Sequence, residues 1–324
     1  MITFEHVSKT YPDGTTAVRS INLDIQKGEF FVIIGPSGSG KTTVLKMINR
    51  LIPLTDGSVY INQKNINDYD IHELRWQIGY VLQQIALFPH MTIEENIAIV
   101  PELKKWPHKK IKQRVEELLK MVGLNPEDYL HRKPAELSGG QQQRIGVIRA
   151  LAANPDIVLM DEPFSALDPI TREKLQEDIK QIQKSIQKTT VFVTHDMQEA
   201  LKLADRICLM KDGEVVQVGT PEELINKPAN QFVKNFVGDQ ATIFNSNIQL
   251  VDLIQPIQYE TNLIKPSSPI INNDTATLEE ILEQLKTSEQ IIIEKNGEPH
   301  GMINRQAIIG HLAKQLRNGG NINE

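Results

Sequence analysis

Residues Glu29 to Thr42 read EFFVIIGPSGSGKT, and the interpretation of the whole chain turns on them. Glu29–Ile34 is a short apolar run rich in β-forming residues, which predicts a buried strand. It leads straight into Gly35-Pro36-Ser37-Gly38-Ser39-Gly40-Lys41-Thr42, which meets every fixed position of the pattern G-x-x-x-x-G-K-[ST]. A helical pattern follows, with Val44, Leu45, Ile48 and Leu51 expected on one face. In such a strand–loop–helix unit, glycines let backbone N–H groups curl around phosphate oxygens. The helix N-terminus adds partial positive charge. Lys41 is expected to reach the β- and γ-phosphates of a nucleotide, and the Thr42 hydroxyl to ligate Mg²⁺. Thr43, next along the chain, is expected to join residues 35–42 in binding the nucleotide.

A second element lies downstream, in Ile157-Val158-Leu159-Met160-Asp161-Glu162-Pro163. It predicts a buried strand that presents two carboxylates at its C-terminal edge, where open parallel sheets bind ligands. Asp161 is expected to hold Mg²⁺, and Glu162 to accept the proton of an attacking water. Between the two strands stands Leu137-Ser138-Gly139-Gly140-Gln141-Gln142-Gln143-Arg144. Ser138 and its glycines precede a predicted helix, so their hydroxyl and N–H groups form a second anion site.

Taken together, the phosphate loop, LSGGQ and MDEP make residues 1–238 resemble the ATP-binding-cassette (ABC) ATPases. The resemblance implies an α/β fold: a P-loop NTPase with a RecA-like core, an antiparallel β subdomain and a helical insertion at about 84–150. It also implies roles. Tyr11 matches the aromatic that stacks on adenine, and Gln83 the glutamine that senses the γ-phosphate and contributes to the Mg²⁺ site. Ser165-Ala166-Leu167-Asp168 matches the D-loop, and His195 the switch histidine; Glu162, His195 and Gln83 form the expected catalytic set. Two cassettes are expected to pack head-to-tail, so that Ser138, Gly139, Gly140 and Gln141 of one contact the ATP bound by the other.

The wording around these motifs is similar to the cassette subunits of quaternary-amine importers, which take up glycine betaine, carnitine or choline. An importer of another small solute such as an amino acid, or an ABC ATPase outside transport, shares the same engine. The helical pattern of IKQRVEELLKMVGL places Ile111, Val115, Leu118, Leu119 and Val122 on one stripe that stops at Gly123. Before it, Leu87, Phe88 and Met91 are apolar residues in a loop beside Pro89, expected to be exposed and to receive a permease subunit. An extracytoplasmic solute-binding protein is implied as an indirect partner.

A chain of 324 residues has room for one large and one smaller domain. Its net charge of −6 argues against a general nucleic-acid binder. The run Lys104, Lys105, Lys109, Lys110 and Lys112 is read as the solvated face of a helix. The single cysteine, Cys208, sits in an apolar run and is expected to be buried in a reducing compartment. No apolar stretch approaches the roughly 20 residues that span a bilayer. The expected place is therefore the cytoplasmic face of the membrane, held peripherally by partners.

After residue 238 the composition changes to a polar linker at 239–249, then a strand–helix–strand–turn–strand–helix order over 250–317 and a tail at 318–324. Thr277 with Glu280 suggests a capping box on the helix, and Asn296-Gly297 a turn. This order resembles a single cystathionine-β-synthase-type (CBS) module. Where ligand-binding copies carry a hydroxyl and an acid, this chain has Asn304 and Ala307, which fits adenylate poorly. The resulting expectation is a dimer contact between twin modules. The acidic balance of this segment gives little support to a cationic sensor of anionic lipid.

Overall fold

The run Phe30–Ile34 is buried at every position, which a strand achieves only in a sheet covered on both faces. The computed structural model describes residues 1–165, 167–238, 254, 269–272, 278–295, 298–308 and 310. It divides into two units, Met1–Val237 and Gly238–Glu324. The first begins with β1 (Ile2–Thr10), β2 (Thr16–Ile25), β3 (Phe30–Ile34) and α1 (Lys41–Ile48). Then come β4 (Asp56–Ile61), β5 (Lys64–Asn65), α2 (Ile71–Trp76) and β6 (Ile78–Val81). A helical lobe follows, made of α3 (Ile93–Leu103), α4 (His108–Met121), α5 (Pro126–Tyr129) and α6 (Gly139–Leu151). The unit closes with β7 (Ile157–Asp161), α7 (Pro169–Ile186), β8 (Thr189–Thr194), α8 (Met197–Leu203), β9 (Arg206–Lys211), β10 (Glu214–Gly219), α9 (Pro221–Asn226) and α10 (Gln231–Val237).

Two sheets carry this unit. One is antiparallel in the order β2-β1-β4-β5; the other has the order β10-β9-β3-β8-β7-β6 and is parallel apart from β10. Helix α1 lies in the core they share. Val44, Leu45, Met47 and Ile48 pack with Ile2, Phe4 and Val59 of the first sheet and Ile33, Leu159 and Val193 of the second. Leu51 does not join that face: it lies past the helix and is 48% exposed. Arg50 takes a left-handed φ of 52° there, and the Leu51 N–H turns back onto the Lys46 carbonyl at 2.9 Å. That is a helix-terminating wrap.

In the lobe, Ile111, Val115, Leu118, Leu119 and Val122 are buried as their spacing predicts, and Gly123 at φ +69° ends the helix. Lys105, Lys109, Lys110 and Lys112 are exposed, whereas Lys104 is half-buried and donates to the Ala153 carbonyl at 3.3 Å. Cys208 is buried in β9, where desolvation pushes its thiol up to about 12. No helix among the described residues is long and apolar enough to cross a membrane.

The second unit pairs β11 (Ile270–Asn272) in parallel with β12 (Gln290–Lys295), which pairs antiparallel with β13 (Glu298–Asn304). Helix α11 (Leu278–Thr287) packs Ile281 and Leu285, four apart on one face, against Ile291, Ile293, Ile303 and Ile308. The linker, most of the expected first strand, Thr277 and the Asn296-Gly297 turn lie outside the described residues.

Lobe and core are joined by Arg144 of α6, whose guanidinium meets Asp178 of α7 at 2.8 Å and also donates to the Val122 carbonyl. Breaking such a pair from one side leaves a buried charge. Arg144→Met should therefore destabilise the protein by about 3 kcal/mol in urea unfolding, and adding Asp178→Leu should recover most of the loss.

Candidate active site

The parallel register decides what can meet. β3 places Ile34 opposite Thr194, and β7 places Asp161 opposite Val193. The loops after β3, β7 and β8 thus leave the same carboxyl edge, the place where open α/β sheets bind ligands.

The loop after β3 leaves no room for side chains at two of its glycines. A Cβ on Gly35 would lie 2.1 Å from the Met210 carbonyl oxygen, and one on Gly40, at φ +98°, 2.3 Å from that of Ala17. Ser39 Oγ is buried without a hydrogen-bond partner. Lys41 Nζ donates to the carbonyls of Gly35 and Pro36, both at 2.9 Å, and so stands over the loop it follows. Burial pulls this amine below the usual lysine range, opposed by the negative charges of Glu162 and Asp161. Ser37 and Gly38 form the exposed crown of the loop.

Asp161 ends β7 and is 4% exposed. Its Oδ1 accepts from Thr42 Oγ1 at 2.9 Å and its Oδ2 from the Tyr80 hydroxyl at 3.3 Å. Burial, with the Asp161 charge beside it, holds the Tyr80 hydroxyl above its ordinary range. A hydroxyl and a carboxylate in contact are the oxygen donors that Mg²⁺ takes, alongside waters and substrate phosphates rather than a protein cage. No cluster of three His, Cys, Asp or Glu that could hold a metal exists among the described residues.

Glu162 follows at φ 44°, a left-handed conformation that a residue with a Cβ holds only where its surroundings enforce it. They do so here: its N–H donates to the Val193 carbonyl at 3.0 Å, and its own carbonyl accepts from Ser165 Oγ at 3.0 Å. The carboxylate is thereby turned to His195, with Nδ1 at 3.2 Å, and to Gln83, with Nε2 at 3.5 Å. The Gln83 amide thus meets Glu162 rather than the Thr42–Asp161 pair.

Tyr11 sits just after β1 with its hydroxyl 3.4 Å from Thr43 Oγ1, and the Lys9 ammonium lies 5.2 Å from its ring centre. Ser138 caps α6: its Oγ accepts from the Gln141 N–H at 3.3 Å, and Gln141 Oε1 accepts from the Ser138 N–H at 2.9 Å. Gly139 and Gly140 form the first turn, and a Cβ on Gly140 would lie 2.2 Å from a methyl of Thr171. These residues make their side-chain bonds within the lobe, including Gln141 Nε2 to the Tyr129 hydroxyl at 2.9 Å. Asp168 caps α7, and its hydrogen bonds with Thr171 hold its carboxyl below the usual range. Ser165 touches Glu162, Leu167 is buried, and Ala166 lies outside the described residues.

The Leu87–Met91 loop differs from expectation at one position. Phe88 and Met91 are exposed, by 50% and 38%, but Leu87 is buried. The cause is Asn96 of α3, fully buried, which accepts from the Phe88 N–H and donates to the carbonyls of Phe88, Met91 and Thr92. The loop is folded around this amide, and Leu87 is drawn inward. Asn96 and Tyr80 both escaped the sequence reading. Tyr80 is a lone hydroxyl inside an apolar run and Asn96 closes the polar triplet Glu94-Glu95-Asn96, weak signals until the neighbouring strand or loop is known.

Comparison with known proteins adds the relatives. A family model described as ABC transporter matches residues 18–165. The glycine betaine/carnitine/choline transport ATP-binding protein OpuCA of Bacillus subtilis is 61% identical over 243 residues, which cover 75% of this chain and 64% of that protein. The osmoprotectant import ATP-binding protein OsmV of Salmonella typhimurium is 46% identical over 311 residues, 94% of this chain and 80% of the relative. Among solved structures, the dimer of an ATP-binding cassette in a post-hydrolysis state with ADP and Pi is 41% identical. It covers 68% of this chain and 99% of its own, with a TM-score of 0.61.

The glycine geometry makes a sharp test. Gly40→Ala forces a Cβ onto the Ala17 carbonyl at a left-handed φ, so nucleotide binding measured by calorimetry should weaken at least tenfold. Gly146→Ala, where a Cβ meets open space, should bind as the parent does.

Proposed function

The chain belongs to the ABC transporter family, and from that membership we propose that it hydrolyses ATP to power import of a quaternary-amine compatible solute: glycine betaine, carnitine or choline. The observation that carries the hydrolytic part is the convergence of Thr42, Asp161, Glu162 and His195 at one sheet edge. The solute class is supported by what the relatives OpuCA and OsmV are named for. No side chain described above has a solute to recognise, because selectivity in such a system belongs to the membrane permease and the extracytoplasmic binding protein.

In this reading the triphosphate lies on the N–H groups of residues 37–42, with Lys41 released from the Gly35 and Pro36 carbonyls to the β- and γ-phosphates. Tyr11 stacks on the adenine. Thr42 and Asp161 would hold Mg²⁺, with Gln83 turning from Glu162 to join them, and the bound ion would supply positive charge against the phosphate oxygens. Glu162 takes a proton from the attacking water as the water oxygen bonds the γ-phosphorus and the bond to the bridging oxygen breaks. His195, bonded to Glu162, orients the γ-phosphate. Ser138, Gly139, Gly140 and Gln141 of a second copy close over the same ATP, with residues 165–168 between the two sites. Binding thus joins the dimer and hydrolysis opens it.

The exposed Phe88 and Met91 offer the permease an apolar contact, which supports a peripheral position at the cytoplasmic face of the membrane. The domain division follows: a cassette over 1–238 with its helical lobe at about 84–150, a linker, and a CBS-like module over 250–317. We assign that module to pairing with its twin. Ile270, on the strand that ends the three-stranded sheet, is 63% exposed. Asn304 Oδ1, at the ligand-pattern position, accepts from the Ala307 N–H at 2.8 Å and so serves as a helix cap.

Three measurements test the proposal. Glu162→Gln should retain ATP-driven dimerisation in light scattering while turnover falls by at least about 100-fold; rapid turnover would remove Glu162 as the base. A chain ending at Gly238 should bind ATP normally but dimerise more weakly without nucleotide, and unchanged dimerisation would end the pairing role. In vesicles carrying the permease and binding protein, labelled glycine betaine, carnitine or choline should accumulate only with hydrolysable ATP. Accumulation of none of the three would refute the solute class.

A further inference from the structure

Glu199 is a buried carboxylate, 5% exposed, that touches none of the groups assigned to the nucleotide. It lies in the first turn of α8, beside the apolar Leu201 and Leu203 that are also buried. A carboxylate in such a place is costly unless it is bonded. Its Oε2 accepts from Thr194 Oγ1 at 2.5 Å, and that same hydroxyl accepts from the Asp196 N–H at 3.0 Å. The residue between these two anchored positions is His195. Opposite stands Arg172 of α7, which donates from Nη2 to the Leu167 carbonyl at 3.3 Å. Its Nε is buried and has no hydrogen-bond partner. Arg172 and Glu199 line one small polar cavity with Glu162, Ser165, Thr194, His195 and Asp196. Burial pushes the Glu199 carboxyl up to about 6, and the positive charge of Arg172 is among the influences opposing it.

One side of this cavity therefore holds the Leu167 backbone through Arg172, and the other holds the backbone around His195 through Glu199. We propose that Glu199 is a positioning residue for hydrolysis, coupling the Ser165–Asp168 segment to the His195 loop through Thr194 and the facing Arg172. Because residues 165–168 are assigned to the boundary with the second copy, the coupling links the position of the imidazole to that boundary. This inference rests on the hydrolytic reading above. A carboxylate that only tied off the Thr194 hydroxyl would be equally well replaced by an amide and would act independently of His195.

The full-length chain provides the test, through steady-state ATP hydrolysis. Glu199→Gln keeps an acceptor for Thr194 and removes the charge facing Arg172, while Glu199→Ala removes both. The expected kcat falls about tenfold in the first and about 100-fold in the second, with the KM for ATP within about threefold of the parent. In a His195→Ala background, Glu199→Ala should lower the residual kcat by less than about threefold, since the group it positions is gone. Equal losses in both backgrounds overturn the coupling, as does a raised KM with unchanged kcat. If melting curves show that Glu199→Ala does not fold, Thr194→Val takes its place in the same cycle. Turnover with additive losses refutes only the positioning role, whereas a parent chain without any ATP turnover refutes the hydrolytic reading with it.

Discussion

The contact between Thr42 Oγ1 and Asp161 Oδ1 is the point on which the rest of the site hangs. It joins the first turn of α1 to the last residue of β7, two elements separated in sequence by the whole helical lobe. The bond exists because β8 lies between β3 and β7 and holds both in parallel register. Strands in a sheet lie about 4.8 Å apart, so neighbours in register deliver their ends to one small region without any further device. The antiparallel sheet serves that arrangement from behind by completing the core in which α1 is seated.

Charge at the edge is arranged so that no group is at ease. Lys41 is the buried cation between two acids, bonded for now to carbonyls of its own loop. Asp161 is bonded by two hydroxyls rather than by a cation, while the Glu162 carboxylate meets His195 and Gln83. Such a set favours a ligand that brings several negative oxygens together with its own divalent counterion, since both signs of charge then find partners.

The chain states some of this openly. Residues 29–42 announce strand, loop and helix because glycine spacing and apolar runs are local properties, and the stripe from Ile111 to Val122 is equally local. Leu51 was misplaced because a single left-handed residue ends a helix without interrupting the apolar periodicity. Leu87 was misplaced because one buried amide, Asn96, organises the loop through carbonyls that any residue types would supply. The Glu199–Thr194 bond was invisible for another reason: it depends on which helix covers the end of β8. Pairing across the sheet, which makes Tyr80 a partner of Asp161, is likewise a property of strand order and not of either segment.

The left-handed backbone at Glu162 has a consequence outside catalysis. A glycine or asparagine would occupy that φ with less strain, but neither carries a carboxylate to face His195. A population of variants selected for endurance to heat alone should drift away from glutamate there. The strain held at Glu162 is thus tied to a single torsion angle.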